Sequence, residues 1–191
     1  MKTEPLQVKR SGDFYYPIYF EEGFDSLADA IRTEGLDSRK ICIVSDTNVA
    51  PLYADSLKSA LSSVASSISL FVFEAGEKSK HLHTVQNLYE KLIESELDRK
   101  SLIVALGGGV VGDLAGFSAA TYLRGIDFIQ VPTTLLAQVD SSVGGKTGVD
   151  FNQYKNMVGA FHQPRLDYMN LQTLKSLPDT QFACGMGEVL K

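Results

Sequence analysis

Residues 101–106, Ser-Leu-Ile-Val-Ala-Leu, run straight into Gly107-Gly108-Gly109-Val110-Val111-Gly112-Asp113, and Leu114 to Ala120 continues as a helix former. Strand, glycine turn and helix in that order is a setting in which backbone binds pyrophosphate. Residues without Cβ let the N–H groups of a helix N-terminus approach the anion closely. Glycines 107, 109 and 112 have the dinucleotide spacing, although a tight turn with close helix–sheet packing uses glycines in the same way. The common dehydrogenase pattern also wants an acidic residue at the end of the next strand, and Val131-Pro132 occupies that place. An acidic group stands instead in Ile43-Val44-Ser45-Asp46-Thr47-Asn48, at the end of an earlier strand. Asp46 is a candidate ribose or adenine contact with Asn48 beside it, and equally an N-cap for the following helix.

Other charged groups stand in apolar or glycine-rich surroundings. Arg124 follows Thr121-Tyr-Leu and precedes Gly125, where it either caps a helix end or grips an anion. Lys146 lies in Gly144-Gly145-Lys146-Thr147-Gly148, which lacks the first glycine and the spacer of a triphosphate loop, so a nucleoside triphosphatase is excluded. Arg124, Lys146 and Lys155, the last followed by Asn156, fall on loops after one sheet and suggest an anionic substrate. Glu77 and Lys80 precede a helix and read as first-turn surface charges unless a ligand claims them. His81 and His83, two apart at a helix start, have poor geometry for a shared metal, and His162 reads as a satisfied loop histidine. Glu188 and Lys191 share a helical face; the apolar approach Phe182-Ala-Cys-Gly-Met-Gly points to a close-packed site instead of a solvated ion pair.

The elements that must position these groups alternate between β-rich runs and stretches of helical period, the pattern of an α/β fold with a parallel sheet. Strands are expected at Tyr15 to Phe20, Lys40 to Ser45, Ile68 to Phe73, Ser101 to Leu106 and Asp127 to Val131. Helices are expected over Asn48 to Val64, with Leu52, Leu57, Leu61 and Val64 in phase, and on the stripe Val85, Leu88, Tyr89, Leu92 and Ile93. Asp140 to Lys146 reads as a binding loop or small hairpin, and a stop-and-cap signal near Pro178 divides residues 1–178 from a helix beginning at 179–191. The 191 residues suit one domain, and the 44% hydrophobic fraction supplies a sizeable core. A net charge of -5 with scattered basic residues argues against nucleic acid. Cys42 and Cys184 lie in apolar contexts and read as buried, reduced thiols, which fits a cytoplasmic location. Met1 to Gly12 has no apolar core for a signal peptide, and no apolar run is long enough to span a membrane.

Taken together, Gly107 to Asp113, Tyr122-Leu-Arg-Gly125, Val131-Pro-Thr-Thr134, Gln138-Val-Asp-Ser-Ser-Val-Gly-Gly-Lys146, Lys155-Asn156 and Gly187-Glu-Val-Leu-Lys191 closely resemble the 3-dehydroquinate synthase family. The resemblance runs from Asp46 to Lys191 and corresponds to the N-terminal half of the family's length. It implies a Rossmann-like, NAD-binding half of a two-domain fold, with 179–191 opening a truncated, helical, metal-binding domain. The implied reaction is cyclisation of 3-deoxy-D-arabino-heptulosonate 7-phosphate to 3-dehydroquinate with loss of phosphate, using catalytic NAD and a divalent metal, zinc or cobalt. Nucleotide contacts implied by the resemblance are Asp46, Asn48, Glu77, Lys80, Gly108, Gly109, Val110, Asp113, Thr133, Thr134, Asp140, Ser141, Thr173, Leu174, Lys175, Ser176 and Leu177. Substrate contacts are Arg124, Asp140, Lys146, Lys155, Asn156 and Lys191, with Lys146 and Lys155 reaching both ligands. Glu188 is the implied metal ligand; the family's two metal histidines fall in the later domain. The full-length enzyme is implied to be a homodimer. Without those histidines the 191-residue chain is expected to bind NAD and not to turn over. Two rivals share the pattern: a sister sugar-phosphate cyclase, and a metal-dependent polyol dehydrogenase on the same fold.

Overall fold

The computed structural model describes residues 4–10 and 13–191; the rest of the Met1 to Gly12 reading lies outside them. Among the described residues nine strands and five α-helices run in the order β1 (Leu6–Arg10), β2 (Asp13–Glu21), α1 (Leu27–Thr33), β3 (Arg39–Asp46), α2 (Ala50–Leu61), β4 (Ala65–Phe73), α3 (Leu82–Glu94), β5 (Leu102–Gly107), α4 (Gly109–Thr121), β6 (Asp127–Pro132), β7 (Lys146–Phe151), β8 (Tyr154–Phe161), β9 (Asp167–Asn170) and α5 (Asp179–Val189). Seven strands form one sheet in the order β1-β2-β9-β6-β5-β3-β4, parallel throughout except for the β1–β2 hairpin at its edge. Strands β7 and β8 form a separate antiparallel pair.

Period-two alternation within the central strands sorts the core into two layers. Ile41 and Ile43 of β3, with Leu102, Val104 and Leu106 of β5, face α1 and α2. Cys42 and Val44, with Ile103 and Ala105, face α3 and α4. From β3 the chain moves outward to β4, then returns across β3 to β5 and β6, so winding reverses between β3 and β5. Ligands of open parallel sheets bind at the carboxyl ends of strands at such a reversal.

Helix α4 is buried on almost every side, because the β7–β8 hairpin covers the face the sheet leaves free. Gly116 makes that sandwich possible: a Cβ there would sit 2.5 Å from Thr147 Cγ2 and 3.1 Å from the Phe128 ring. Asp140 to Lys146 is thus not a hairpin: it ends a helical turn and loops into β7, and the hairpin lies further along, in Lys146–Phe151 and Tyr154–Phe161, as part of the framework. Strands β1, β7, β8 and β9 are additions to the expected set. Leu52 and Ile93, placed on buried stripes from the sequence, are 57% and 65% exposed. Each begins or ends the useful arc of its helix, where the sheet no longer covers it. Cys42 is buried, whereas Cys184 is exposed, contrary to expectation, because α5 packs through Gly185 and turns its neighbours outward. A Cβ on Gly185 would fall 2.6 Å from Leu135 Cβ, so the close approach in that apolar segment is real but confined to one residue; Phe182 stays 40% exposed. Among the described residues no helix is long and apolar enough to cross a membrane.

Candidate functional site

The glycine turn sits at the carboxyl end of β5, beside the end of β3, and α4 starts from it. Gly108 is the N-cap of α4 and offers no side chain to the first-turn N–H groups, which are left for another acceptor. Its surroundings are tight: a Cβ on Gly108 would lie 3.1 Å from Thr134 Cγ2, and one on Gly109 would lie 2.9 Å from Ser141 Oγ. The Thr133 N–H donates to the Gly107 carbonyl at 2.9 Å, fixing the start of the next loop against the turn.

A groove of about 870 Å³ crosses this point. Asp46 and Asn48 from the end of β3 line it together with Gly108, Gly109 and Val110 of the glycine turn. Glu77, Lys80 and Asp113 share the lining, as do Thr133 and Thr134 after β6 and Ser176 and Leu177 ahead of α5. Asp46 Oδ1 accepts the N–H groups of Asn48 and Val49, both at 2.9 Å; it closes the turn ahead of α2 and is not the helix N-cap expected of it, since Val49 holds that position, and it lines the groove. Thr173 is buried, bonding through its hydroxyl to the Asn170 carbonyl at 2.8 Å, and with Leu174 and Lys175 it lies outside the groove lining. The structure adds Tyr53 and Gln181, which no local motif marked. Tyr53 meets Ser176 at 2.5 Å between hydroxyl oxygens.

Lys80 is not a surface charge. It is 5% exposed, and its Nζ donates to Asp113 Oδ2 at 2.5 Å and to Asn156 Oδ1 at 2.6 Å. Its backbone carbonyl accepts the Asp150 N–H at 2.8 Å, tying the hairpin to the 77–81 segment. Asn156 adopts a left-handed φ of 54° that lets its own N–H reach Asp150 Oδ1 at 2.8 Å. Burial holds the Asp113 carboxyl above its usual range, with Lys80 pulling it back down and Glu77 and Asp150 pushing it up.

Asp113 also lines a second cavity, of about 510 Å³, between the start of α4, the loop after β6 and the hairpin. Asp140, Ser141, Lys146 and Asn156 share that lining. Lys155 stands nearby on the hairpin, paired with Glu77 at 3.1 Å and largely exposed. Arg124 does not join this group. Helix α4 carries the chain about 20 Å from the glycine turn to the opposite edge of the sheet. There Leu123 and Arg124, with φ of 51° and 70°, reverse the chain before β6. The loop containing Arg124 precedes a strand instead of following one, so the expected three-cation clamp reduces within this chain to Lys146 and Lys155.

Glu188 and Lys191 form an i, i+3 pair at 3.3 Å on α5 and its end. No cluster of three or more histidine, cysteine, aspartate or glutamate side chains suited to a metal occurs among the described residues. One carboxylate does not satisfy a zinc ion that takes about three protein ligands, so a metal does not fit the residues of this chain alone. His81 caps α3 by accepting the Thr84 N–H at 3.3 Å, and its ring stacks on His83 at 6.2 Å. His162 Nε2 reaches the Ile126 carbonyl oxygen at 2.9 Å, as expected of a satisfied histidine.

Residues 70–184 match the family model described as 3-dehydroquinate synthase N-terminal. A 3-dehydroquinate synthase of Symbiobacterium thermophilum is 53% identical over 181 residues, which is 94% of this chain and 51% of the relative. One of Acetivibrio thermocellus is 48% identical over 179 residues, 94% of this chain and 49% of the relative. The chain thus spans about half the length of the curated relatives it matches. Among solved structures, 2-deoxy-scyllo-inosose synthase complexed with carbaglucose-6-phosphate, NAD+ and Co2+ superimposes with a TM-score of 0.89 at 30% identity, over 97% of this chain and 51% of that one.

Proposed function

The chain belongs to the 3-dehydroquinate synthase family, and from that premise we propose that it is the nucleotide-binding half of a 3-dehydroquinate synthase that uses NAD catalytically. The whole protein then converts 3-deoxy-D-arabino-heptulosonate 7-phosphate to 3-dehydroquinate and phosphate. Residues 1–178 are the nucleotide domain, and α5 opens a helical domain that completes the metal site around Glu188. The observation that carries this reading is the junction of two cavities at Asp113: a long groove over an uncapped helix N-terminus meets a shorter one lined by Asp140, Lys146 and Asn156.

NAD, when bound, supplies a hydride acceptor for a ring alcohol and later a hydride donor. The chain's own residues do the rest of the work on this side. The first-turn amides of α4 receive the pyrophosphate, with Gly108 and Gly109 admitting it without a side chain in the way. Asp46 and Asn48 hold the adenosine end, and Thr133 and Thr134 the end nearer α5. Lys146 and Lys155 attract and orient the substrate's anionic groups. Lys80, Asp113 and Asn156 form the wall common to both ligands, so positioning of nucleotide and substrate depends on one buried cluster. Glu188 contributes a single carboxylate, and further residues must complete that centre.

The 53% identity to a 3-dehydroquinate synthase against 30% to an inosose synthase favours the heptulosonate over other sugar phosphates. Calorimetric titration of the 191-residue chain with NAD, followed by a phosphate-release assay with zinc, tests the proposal. Binding without turnover is expected. Absence of NAD binding, or zinc-dependent phosphate release by this chain alone, overturns it.

A further inference from the structure

Beneath the loop that joins β6 to β7, three neighbouring strands turn polar side chains to one face of the sheet. Tyr16 comes from β2, Asp167 from β9 and Gln130 from β6; Asp167 is in register with both Ile18 and Gln130. Tyr16 and Asp167 are 0% exposed and Gln130 5%. Over this floor runs the segment Ser142–Gly144. The Gly144 N–H donates to the Tyr16 hydroxyl at 3.3 Å, and Gln130 Nε2 donates to the Ser142 carbonyl at 3.5 Å. Asp167 lies in the middle. Neither of its carboxyl oxygens has a hydrogen-bond partner among the described residues, and neither does the Ser142 hydroxyl, the polar group beside it. Buried polar atoms are almost always paired. Three unpaired ones from two residues at one place mark a contact between those residues.

We propose that Asp167 is a positioning residue: its carboxyl group pairs with the Ser142 hydroxyl and holds Ser142–Gly144, and through it Asp140, Ser141 and Lys146, against the sheet. The consequence for ligands rests on the nucleotide and substrate reading given above, whereas the contact itself does not. Burial pushes the Asp167 carboxyl well above its usual range, with the Ser142 hydroxyl pulling it part of the way back, and so favours the neutral acid, which has an O–H to donate and a carbonyl oxygen to accept. Of the groups facing it, Gln130 from β6, Ile18 from β2 and Ser142 from the loop do not titrate. Tyr16 from β2 does, and burial together with Asp167 pushes it up to about 12. No lysine, arginine or histidine acts on the acid. Ionisation leaves a carboxylate with no cation beside it, which draws water under the loop and lifts it. The lift carries Ser141 away from Gly109, where its Oγ lies 2.9 Å from the position of a Cβ, and takes Asp140 and Lys146 out of the second cavity.

Backbone hydrogen exchange of residues 137–146, measured in the intact protein together with NAD affinity, tests this on Asp167→Asn, Asp167→Leu and Ser142→Ala. Asp167→Asn, which keeps a donor and an acceptor, is expected to hold protection and affinity within about threefold of wild type. Asp167→Leu and Ser142→Ala are expected to speed exchange of that segment about tenfold while the sheet stays protected, and to weaken NAD several-fold. In the wild type, protection of the segment relative to the sheet falls as pH rises through ionisation of the acid, and Asp167→Asn removes that dependence. Exchange in Ser142→Ala indistinguishable from wild type overturns the inference. That variant trims only a hydroxyl and decides the matter even if Asp167→Leu fails to fold. A wild type that binds no NAD overturns the reading of the groove, and the exchange comparison still decides the role of Asp167.

Discussion

Replacing Lys80 with methionine keeps the length of the side chain and removes one charge from a buried cluster. The lost ammonium lies 2.5 Å from Asp113 Oδ2 and 2.6 Å from Asn156 Oδ1, with side chains 5% exposed for Lys80 and 20% for Asp113. Deleting one member of a buried ion pair costs about 3–5 kcal/mol, because the partner is stranded. Asp113 escapes part of that penalty by taking up a proton and by its residual access to water, so a loss of about 2–3 kcal/mol at neutral pH is expected. At about 2–4 °C per kcal/mol for a chain of this size, the melting temperature falls by about 4–12 °C. The pH dependence has a definite sign. Asp113 already stands above its usual range, and losing Lys80 raises it further. The folded variant therefore binds more protons than the unfolded chain over a wider range. Its deficit is small where the acid is protonated in both states and grows as pH rises from the ordinary carboxylate range towards the raised folded value. Thermal unfolding followed by circular dichroism across pH, on Lys80→Met, Asp113→Asn and the double variant, reads this directly. The double variant is expected to be more stable than Lys80→Met at neutral pH, since no charge is stranded. A Lys80→Met protein as stable as wild type, or a double variant no more stable than Lys80→Met, refutes the reasoning.

Gly109→Ala is expected to weaken NAD at least about tenfold with little change in melting temperature, because its Cβ would lie 2.9 Å from Ser141 Oγ, between the loop and the helix terminus proposed to receive the pyrophosphate; calorimetry showing unchanged affinity contradicts the placement. Arg124→Ala, at the far end of α4, is expected to leave NAD affinity within about twofold, and a tenfold loss in the same titration shows that the guanidinium reaches the groove after all.

The alternation of β-branched runs with helical stripes made five strands and their helices readable; β3, β5 and β6 are buried on both faces and leave continuous apolar runs, whereas β4, at the sheet edge, is partly exposed and showed through its β-branched and aromatic residues. Strand β9 escaped because Asp167-Tyr-Met-Asn is four residues long and carries an acid where an apolar residue is usual. The hairpin strand β8, Tyr154 to Phe161, is largely exposed and lacks a clean alternation, so only its paired structure reveals it. The glycine turn was legible because a backbone device needs contiguous residues in fixed order. Lys80 was not: its burial depends on Asp113 and Asn156, which lie 33 and 76 residues away in sequence, and nothing in Gly76-Glu77-Lys78-Ser79-Lys80 announces them. The placement of Arg124 on the loops after the sheet failed for the opposite reason. Its motif was clear, but which end of the sheet a loop occupies depends on counting strands and helices, and a guanidinium beside a glycine looks the same at either end.

The position of β9 sets a timetable for synthesis. β2 precedes β3 to β9 in the chain, yet its inner edge pairs in parallel with β9, the last strand of the sheet, and β9 in turn joins β6. Until residue 170 has emerged, the β1–β2 hairpin has no seat on the growing sheet, and the open edge of β6 has no cover. At ~5–20 residues per second that interval is on the order of ten seconds. The β6 edge, finished at Pro132, waits only for the stretch to Asn170, on the order of a few seconds, and in that last part of the interval two unpaired strand edges of the same nascent chain are exposed to each other and to neighbouring chains. The β3–β4–β5–β6 block is complete well before then, so the groove over the glycine turn has its floor while the sheet is still waiting for its other flank.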